Sequence, residues 1–169
     1  VQWLGDYTDA TPGTKALLNN TQILGPDSEP EPDACLFILP EYGGSVYVDE
    51  DEYLHGAPEL IVEVSSSTES IDLHAKKRDY QKAGVREYVV LALRMQQVFW
   101  FVHQRGKYKE VPLPADGIFR SRTFPGLWLD AEAMLRCHRS GVLAALKDGL
   151  ATGEHAAFVA KLEKRATKR

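Results

Sequence analysis

Residues 59–84, "ELIVEVSSSTESIDLHAKKRDYQKAG", have the pattern of an apolar strand followed directly by a helix. Side chains of a strand alternate between its faces, so Glu59, Glu63 and Ser65 share one face of "ELIVEVS" with Ile61. Both faces are mainly apolar, which predicts a strand in the middle of a sheet. Glu63 is then a buried carboxylate, and its burial is costly unless it meets a cation or a hydrogen-bonding partner.

The predicted helix has signals at both ends. Ser67 or Thr68 is the candidate N-cap, acidic residues follow in the first turn, and Gly84 is the expected stop. These signals predict a helix of about three to four turns.

Three polar residues share one face of this helix. Asp72, Lys76 and Tyr80 are spaced four residues apart, which places them on one side. A lysine stem can reach from a covering helix toward a strand, so Lys76 is the candidate cation beside Glu63. Lys77 points elsewhere and is expected to be solvated.

The flanking sequence predicts further strands and a helical end. The first 27 residues have a weak pattern, with a turn at "TPG" and a candidate strand at 20–24. "PDACLFIL" is a strand entered through a proline. Further strand patterns occupy 86–93, 96–104, 107–113 and part of 119–130, and we expect the first three to pair antiparallel. Helical spacing follows over 131–137, 142–150 and 155–166.

These elements predict an α/β fold in which a mixed β-sheet is flanked by helices, with further helices at the C-terminus. The chain has 169 residues, 44% of them hydrophobic, which suits one domain over 1–169 with a real core. We expect the core over about 20–135 and a helical extension over 136–169.

Composition limits the classes of function. A net charge of −4 excludes a uniformly basic surface, although an acidic metal site beside local basic patches is compatible with it. The cationic end of the chain is better explained as a solvated helix end than as a phosphate contact; it contains Lys161, Lys164, Arg165, Lys168 and Arg169.

Cysteine usage and hydropathy indicate the compartment. Cys35 and Cys137 have no spacing typical of zinc sites or disulfide frameworks, which favours a reducing cytoplasm. No stretch approaches the roughly 20 apolar residues of a membrane-spanning helix. Val1 is not an initiator, so we expect that an upstream segment is absent from this sequence.

A metal site is the functional hypothesis that these residues support. If the strand that Asp33 opens pairs with the strand of Glu63, their carboxylates become two hard oxygen donors of the kind that Mg²⁺ prefers. Glu59 is a candidate third donor, and Ser65 is the next residue on that face. A lysine such as Lys76 would offset charge that develops on a phosphate.

Each candidate also has a structural interpretation. Asp33 at a strand start is ordinarily a cap, and a helix lysine such as Lys76 is ordinarily solvated. Asp72 can simply pair with Lys76, and Tyr80 more often packs its ring beneath a sheet. Glu63 is the one candidate whose own position favours a functional role, because strand interiors disfavour glutamate and apolar surroundings make its desolvation costly.

The linked pattern resembles a known family. "PDACLFI", followed by "GAPELIVEVSSSTESIDLHAKKRDYQKAGVREYVVL", is similar to the Uma-type family of restriction endonucleases in the PD-(D/E)XK nuclease superfamily, over about residues 20–135. The resemblance implies a restriction-endonuclease-like core in which Asp33 and Glu63 are the motif carboxylates. The usual lysine two residues later is replaced by Ser65, and Lys76 matches a lysine that the family supplies from the following helix. Glu59 stands where relatives often carry aspartate.

The implied activity is Mg²⁺-dependent hydrolysis of phosphodiester bonds in DNA, with Mn²⁺ as a substitute. Asp33 and Glu63 would hold the metal, and Lys76 would stabilise the attacking hydroxide or the phosphorane. Family members usually carry an upstream helix with another acidic residue, and nucleases of this fold often form homodimers. The alternative is a catalytically inactive nucleic-acid-binding or protein-interaction module of the same fold.

Overall fold

The computed structural model describes residues 2–24, 30–50, 53–66 and 71–167, so the predicted N-cap at Ser67 or Thr68 lies outside the described residues. The strands are β1 Thr14–Leu18, β2 Gln22–Ile23, β3 Ala34–Ile38, β4 Tyr47–Val48, β5 Leu54–His55, β6 Leu60–Ser65, β7 Glu87–Ala92, β8 Gln97–Gln104, β9 Lys107–Val111, β10 Ile118–Arg120 and β11 Trp128–Asp130. The helices are α1 Gln2–Asp9, α2 Lys77–Ala83, α3 Ala131–Leu135, α4 Arg139–Leu150 and α5 Gly153–Ala166. A 3₁₀ turn covers Pro40–Tyr42, and a π-helical segment, Asp72–Lys76, leads into α2.

A six-stranded mixed sheet forms the centre, in the order β1-β3-β6-β7-β8-β9. β6 and β7 are parallel, because the chain crosses over through the π-helical segment and α2 between them. The other neighbours in this sheet are antiparallel. The predicted α/β fold, with helices around a mixed sheet and further helices at the C-terminus, is therefore confirmed.

The two faces of the sheet bury different partners. One face packs under α1 and the C-terminal helices, through apolar residues such as Leu4, Val142 and Leu162. The opposite face, which we call the α2 face, carries Cys35, Phe37, Ile61, Tyr88 and Phe101. It is covered by Tyr80 of α2 on one side, and by Val46 and Leu54 around the small sheet β2-β5-β4 on the other.

The N-terminal region contains more structure than its weak pattern predicts. α1 buries Trp3, Leu4 and Tyr7, and an eight-residue helix is too short for this spacing to stand out as a period. β1 is an edge strand with mixed exposure, so it lacks a clear alternation. β2 lies within the candidate strand at 20–24.

The helix after β6 differs from the expected plain α-helix at its start. Residues Asp72–Lys76 are π-helical, and no residue preference in the sequence signals this. Its end follows the prediction, since Gly84 has φ 85° and its N–H donates to the carbonyls of Tyr80 and Gln81.

Glu87 is a further buried carboxylate, and it anchors the segment between β10 and β11. Oε1 accepts hydrogen bonds from the Ser121 hydroxyl at 3.0 Å and from the backbone N–H groups of Arg122 and Thr123, and Oε2 accepts one from Trp100 Nε1 at 2.7 Å. A fully buried carboxylate is tolerable when several donors satisfy it. Glu87 therefore fixes this segment against the sheet.

No helix in the described part of the chain combines the length and apolarity needed to cross a bilayer. The thiols of Cys35 and Cys137 are both free, Cys35 buried and Cys137 exposed.

Candidate active site

Strand pairing brings Asp33 and Glu63 side by side on the α2 face. Ala34 pairs with Val62 in the antiparallel ladder of β3 and β6, so the same register places Asp33 opposite Glu63. Directly opposite residues have Cβ atoms roughly 4.5–5.5 Å apart. The Asp33 carboxylate also accepts a hydrogen bond from the Val64 N–H at Oδ2, 2.7 Å away, which extends the pairing by one step through a side chain.

Two side chains from the following helix converge on Glu63. Lys76 Nζ lies 3.0 Å from Glu63 Oε1, and the Tyr80 hydroxyl donates a hydrogen bond to the same oxygen at 2.8 Å. Glu63 is 2% exposed, whereas the Lys76 side chain is 32% exposed. The ammonium group therefore sits between a buried carboxylate and solvent.

Asp72 supports Lys76 from within its own helix. Its Oδ1 lies 3.3 Å from Lys76 Nζ, and Asp72 is buried. Lys76 thus contacts two carboxylates, which fixes the position of its ammonium group. The structure brings Asp33, Glu63, Asp72, Lys76 and Tyr80 into one cluster.

The surroundings shift the pKa values of these groups. Burial raises the pKa of the Glu63 carboxyl; the Lys76 ammonium and the Tyr80 hydroxyl oppose this, and the charge of Asp33 adds to it. Burial lowers the pKa of Lys76, but Glu63 and Asp72 outweigh that effect, so its pKa is raised overall. Burial, followed by the charge of Glu63, raises the pKa of Tyr80 well above the usual range. At neutral pH Lys76 is a cation and Tyr80 a hydrogen-bond donor.

Glu59, which directly precedes β6, and Ser65, which ends it, point to the same side as Glu63 but lie away from the cluster, one toward each end of the strand. Glu59 Oε2 accepts a hydrogen bond from the Ile38 N–H at 3.0 Å and closes the β3–β6 ladder at its other end. At about 3.3 Å per residue it lies roughly 13 Å along the strand from Glu63. Burial raises its pKa. Ser65 is buried one pleat beyond Glu63, and its carbonyl accepts from the Leu93 N–H.

The neighbouring lysine has a different environment. Lys77 Nζ lies over the ring of Phe101, 3.7 Å from its centroid, and burial lowers its pKa. It is therefore less solvated than the sequence predicts. Lys76 and Lys77 form a natural pair for comparison, since only Lys76 contacts Glu63.

The acidic pair fits a hard divalent cation such as Mg²⁺. The contacts described above use one oxygen of each carboxylate, Oδ2 of Asp33 and Oε1 of Glu63. Asp33 is also partly exposed to solvent. Within the described residues, no group of three or more His, Cys, Asp or Glu side chains could hold a metal ion. Mg²⁺ is commonly bound by only one or two carboxylates, with water and substrate phosphate completing its shell. Asp33 and Glu63 are therefore the residues that would hold it.

Tyr88 is the member of this region that the sequence pattern did not single out. Its hydroxyl donates to the Asp72 carbonyl at 3.0 Å, and the side chain is fully buried on the α2 face. The sequence feature that could have indicated Tyr88 is its place in the otherwise aliphatic run "YVVLA", because a buried phenol requires a hydrogen-bond acceptor.

The fold has a counterpart among solved structures. The crystal structure of a protein from Anabaena variabilis ATCC 29413, described as a putative nuclease belonging to DUF820, matches with a TM-score of 0.60 and 18% sequence identity. The match covers 80% of this chain and 76% of that chain. The chain accordingly shares its fold with that protein.

The family follows from the sequence itself. The model of the Uma2 family, described as "Putative restriction endonuclease", matches residues 1–132, and the chain belongs to this family. Among curated proteins no match is found.

Proposed function

We propose that this protein is a metal-dependent endonuclease that hydrolyses phosphodiester bonds in DNA. The observation that carries the proposal is the convergence of Lys76 and Tyr80 on one oxygen of Glu63, with Asp33 opposite in the neighbouring strand. Burying this many polar groups together is costly, so their retention in one place favours a chemical role. Membership of a family described as restriction endonucleases supports the same class of reaction.

Each side chain has a role that its contacts suggest. Asp33 and Glu63 would hold the divalent cation, and Tyr80 fixes the rotamer of Glu63 through its hydrogen bond. Lys76, charged and partly exposed, would stabilise negative charge on the phosphate as the water oxygen bonds to phosphorus and the ester P–O bond breaks. A bound Mg²⁺, or Mn²⁺ in its place, supplies Lewis-acid polarisation of the phosphate and lowers the pKa of a bound water.

We extend the proposal to the oligomeric state and the compartment of the protein. One chain carries one such cluster among its described residues, so a cut through both strands of DNA calls for two copies, which favours a homodimer with two-fold symmetry. The two free thiols fit a reducing cytoplasm.

Nicking of supercoiled plasmid tests the proposal. The full chain should nick with Mg²⁺ or Mn²⁺ and stop when the metal is chelated, and Glu63→Gln and Asp33→Asn should each lower the rate on the order of 10²-fold or more. Glu59→Gln is the matched control, since Glu59 points to the same side as Glu63 but bonds to Ile38 N–H; it should nick at close to the wild-type rate.

Two outcomes would contradict the proposal. Equal nicking by the wild type, Glu63→Gln and Asp33→Asn would identify a contaminating nuclease. No nicking by the wild type with either metal would favour the non-catalytic module of the same fold.

A further inference from the structure

The hydroxyl of Tyr88 reaches out of the sheet to the backbone of the helix above it. It donates a hydrogen bond to the Asp72 carbonyl at 3.0 Å, and Tyr88 is fully buried. Its ring packs against those of Tyr80, with centroids 5.1 Å apart, and Phe101, with centroids 6.1 Å apart. The ring of Tyr108 also stacks on it, with centroids 6.1 Å apart, so the position of the Tyr88 ring is set by three aromatic neighbours.

Asp72, whose carbonyl accepts the hydrogen bond from Tyr88, begins the π-helical segment, and Lys76 ends it. A π-helix bonds each N–H to the carbonyl five residues back, is rare, and is used mostly as a single turn. Such a turn is less favourable than the α-helix that could replace it, so an outside contact is needed to keep it. The Asp72 carbonyl receives that contact from Tyr88.

The buried hydroxyl of Tyr88 favours one backbone register of the π-helical segment over others. If Asp72–Lys76 adopted another backbone register, the Asp72 carbonyl would move and the Tyr88 hydroxyl would be left without this acceptor inside the protein. A buried donor without an acceptor destabilises the conformation that contains it. The hydroxyl therefore favours the register that directs Lys76 at Glu63.

We infer that Tyr88 is a positioning residue: by binding the Asp72 carbonyl it holds the π-helical turn that places the Lys76 ammonium beside Glu63. Tyr88 itself would touch neither metal nor substrate. The catalytic consequence of this placement rests on the proposed function, but the placement itself does not.

Tyr108 provides the matched control. Its hydroxyl also donates to a backbone carbonyl, that of Val85 at 2.9 Å, and its ring also packs on the α2 face. Val85 follows α2 rather than preceding it, so Tyr108→Phe removes the same kind of hydrogen bond without touching the π-helical turn. Both Tyr→Phe variants keep the ring and its packing.

Amide hydrogen exchange of the full chain tests the placement. Tyr88→Phe should speed exchange selectively in residues 71–77, by about 5- to 150-fold, because local opening of that segment becomes easier. Tyr108→Phe should leave that segment as in the wild type. Equal exchange in 71–77 for both variants would overturn the inference, whether or not the protein cleaves DNA.

Nicking kinetics test the consequence. Tyr88→Phe should lower the rate at saturating plasmid about 10- to 100-fold with KM unchanged. The reason is that a small displacement of the Lys76 ammonium group from its position beside Glu63 is enough to slow the reaction. In a Lys76→Met background, measured at raised enzyme concentration, the same substitution should cost nothing further. Additive losses would overturn the inference, whereas an inactive wild type would contradict the proposed function and leave the exchange result to decide.

Discussion

Replacing Lys76 by methionine is expected to lower the rate of plasmid nicking about 10²–10³-fold, the usual loss when one preorganised donor to a developing negative charge is removed. Methionine keeps most of the apolar stem, so packing against the strand is largely preserved. The change removes the only cation that contacts Glu63 within the described residues, at 3.0 Å. The measurement is the single-turnover nicking rate with saturating Mg²⁺.

The adjacent residue supplies the control for this experiment. Lys77→Met removes the same charge one position later, where the ammonium lies over the Phe101 ring and not at Glu63. It should nick at close to the wild-type rate. An equal loss in the two variants would mean that Lys76 contributes only to overall charge, and full activity of Lys76→Met would remove it from the catalytic group.

Replacing Glu87 by alanine is expected to destabilise the protein by about 3–5 kcal/mol, because several buried donors lose their common acceptor. For a chain of this length that corresponds to a fall in Tm of about 6–20 °C. The donors are Trp100, Ser121 and the backbone N–H groups of Arg122 and Thr123. Thermal and urea unfolding measure the change.

Glu132→Ala is the comparison for this variant. Glu132 is exposed and pairs with Arg136 at 3.0 Å, and an exposed pair within one helix contributes about 0.3–0.5 kcal/mol. Loss of this ion pair should therefore change the free energy of unfolding by a barely detectable amount. A similarly small effect for Glu87→Ala would show that the segment between β10 and β11 is held by its apolar contacts alone.

The sequence predicted the centre of the fold because the signals there are strong and local. An apolar run flanked by turn residues requires β6 to be central, and the four-residue spacing of Asp72, Lys76 and Tyr80 requires them to share a helix face. The pairing of Asp33 with Glu63 was open, because strand order is not encoded in either strand alone. The register of β3 and β6 supplies it.

What the sequence did not predict depends on tertiary contacts. The π-helical turn has no residue preference of its own and is accompanied by the Tyr88 hydroxyl, which arrives from a strand sixteen residues away. Glu87 gave a weak signal as a charge at the start of an apolar strand, but three of its four donors lie more than thirty residues further on. The edge strand β1 is half exposed, so no alternation marked it.

A crystal soaked in Mn²⁺ would reveal whether Asp33 and Glu63 share one divalent cation. We expect an anomalous difference peak between the two carboxylates in the wild type, at about 2.0–2.2 Å from an oxygen of each, and no peak there in Glu63→Gln. An empty position in the wild type at saturating Mn²⁺, or a peak that persists unchanged in Glu63→Gln, would contradict this expectation.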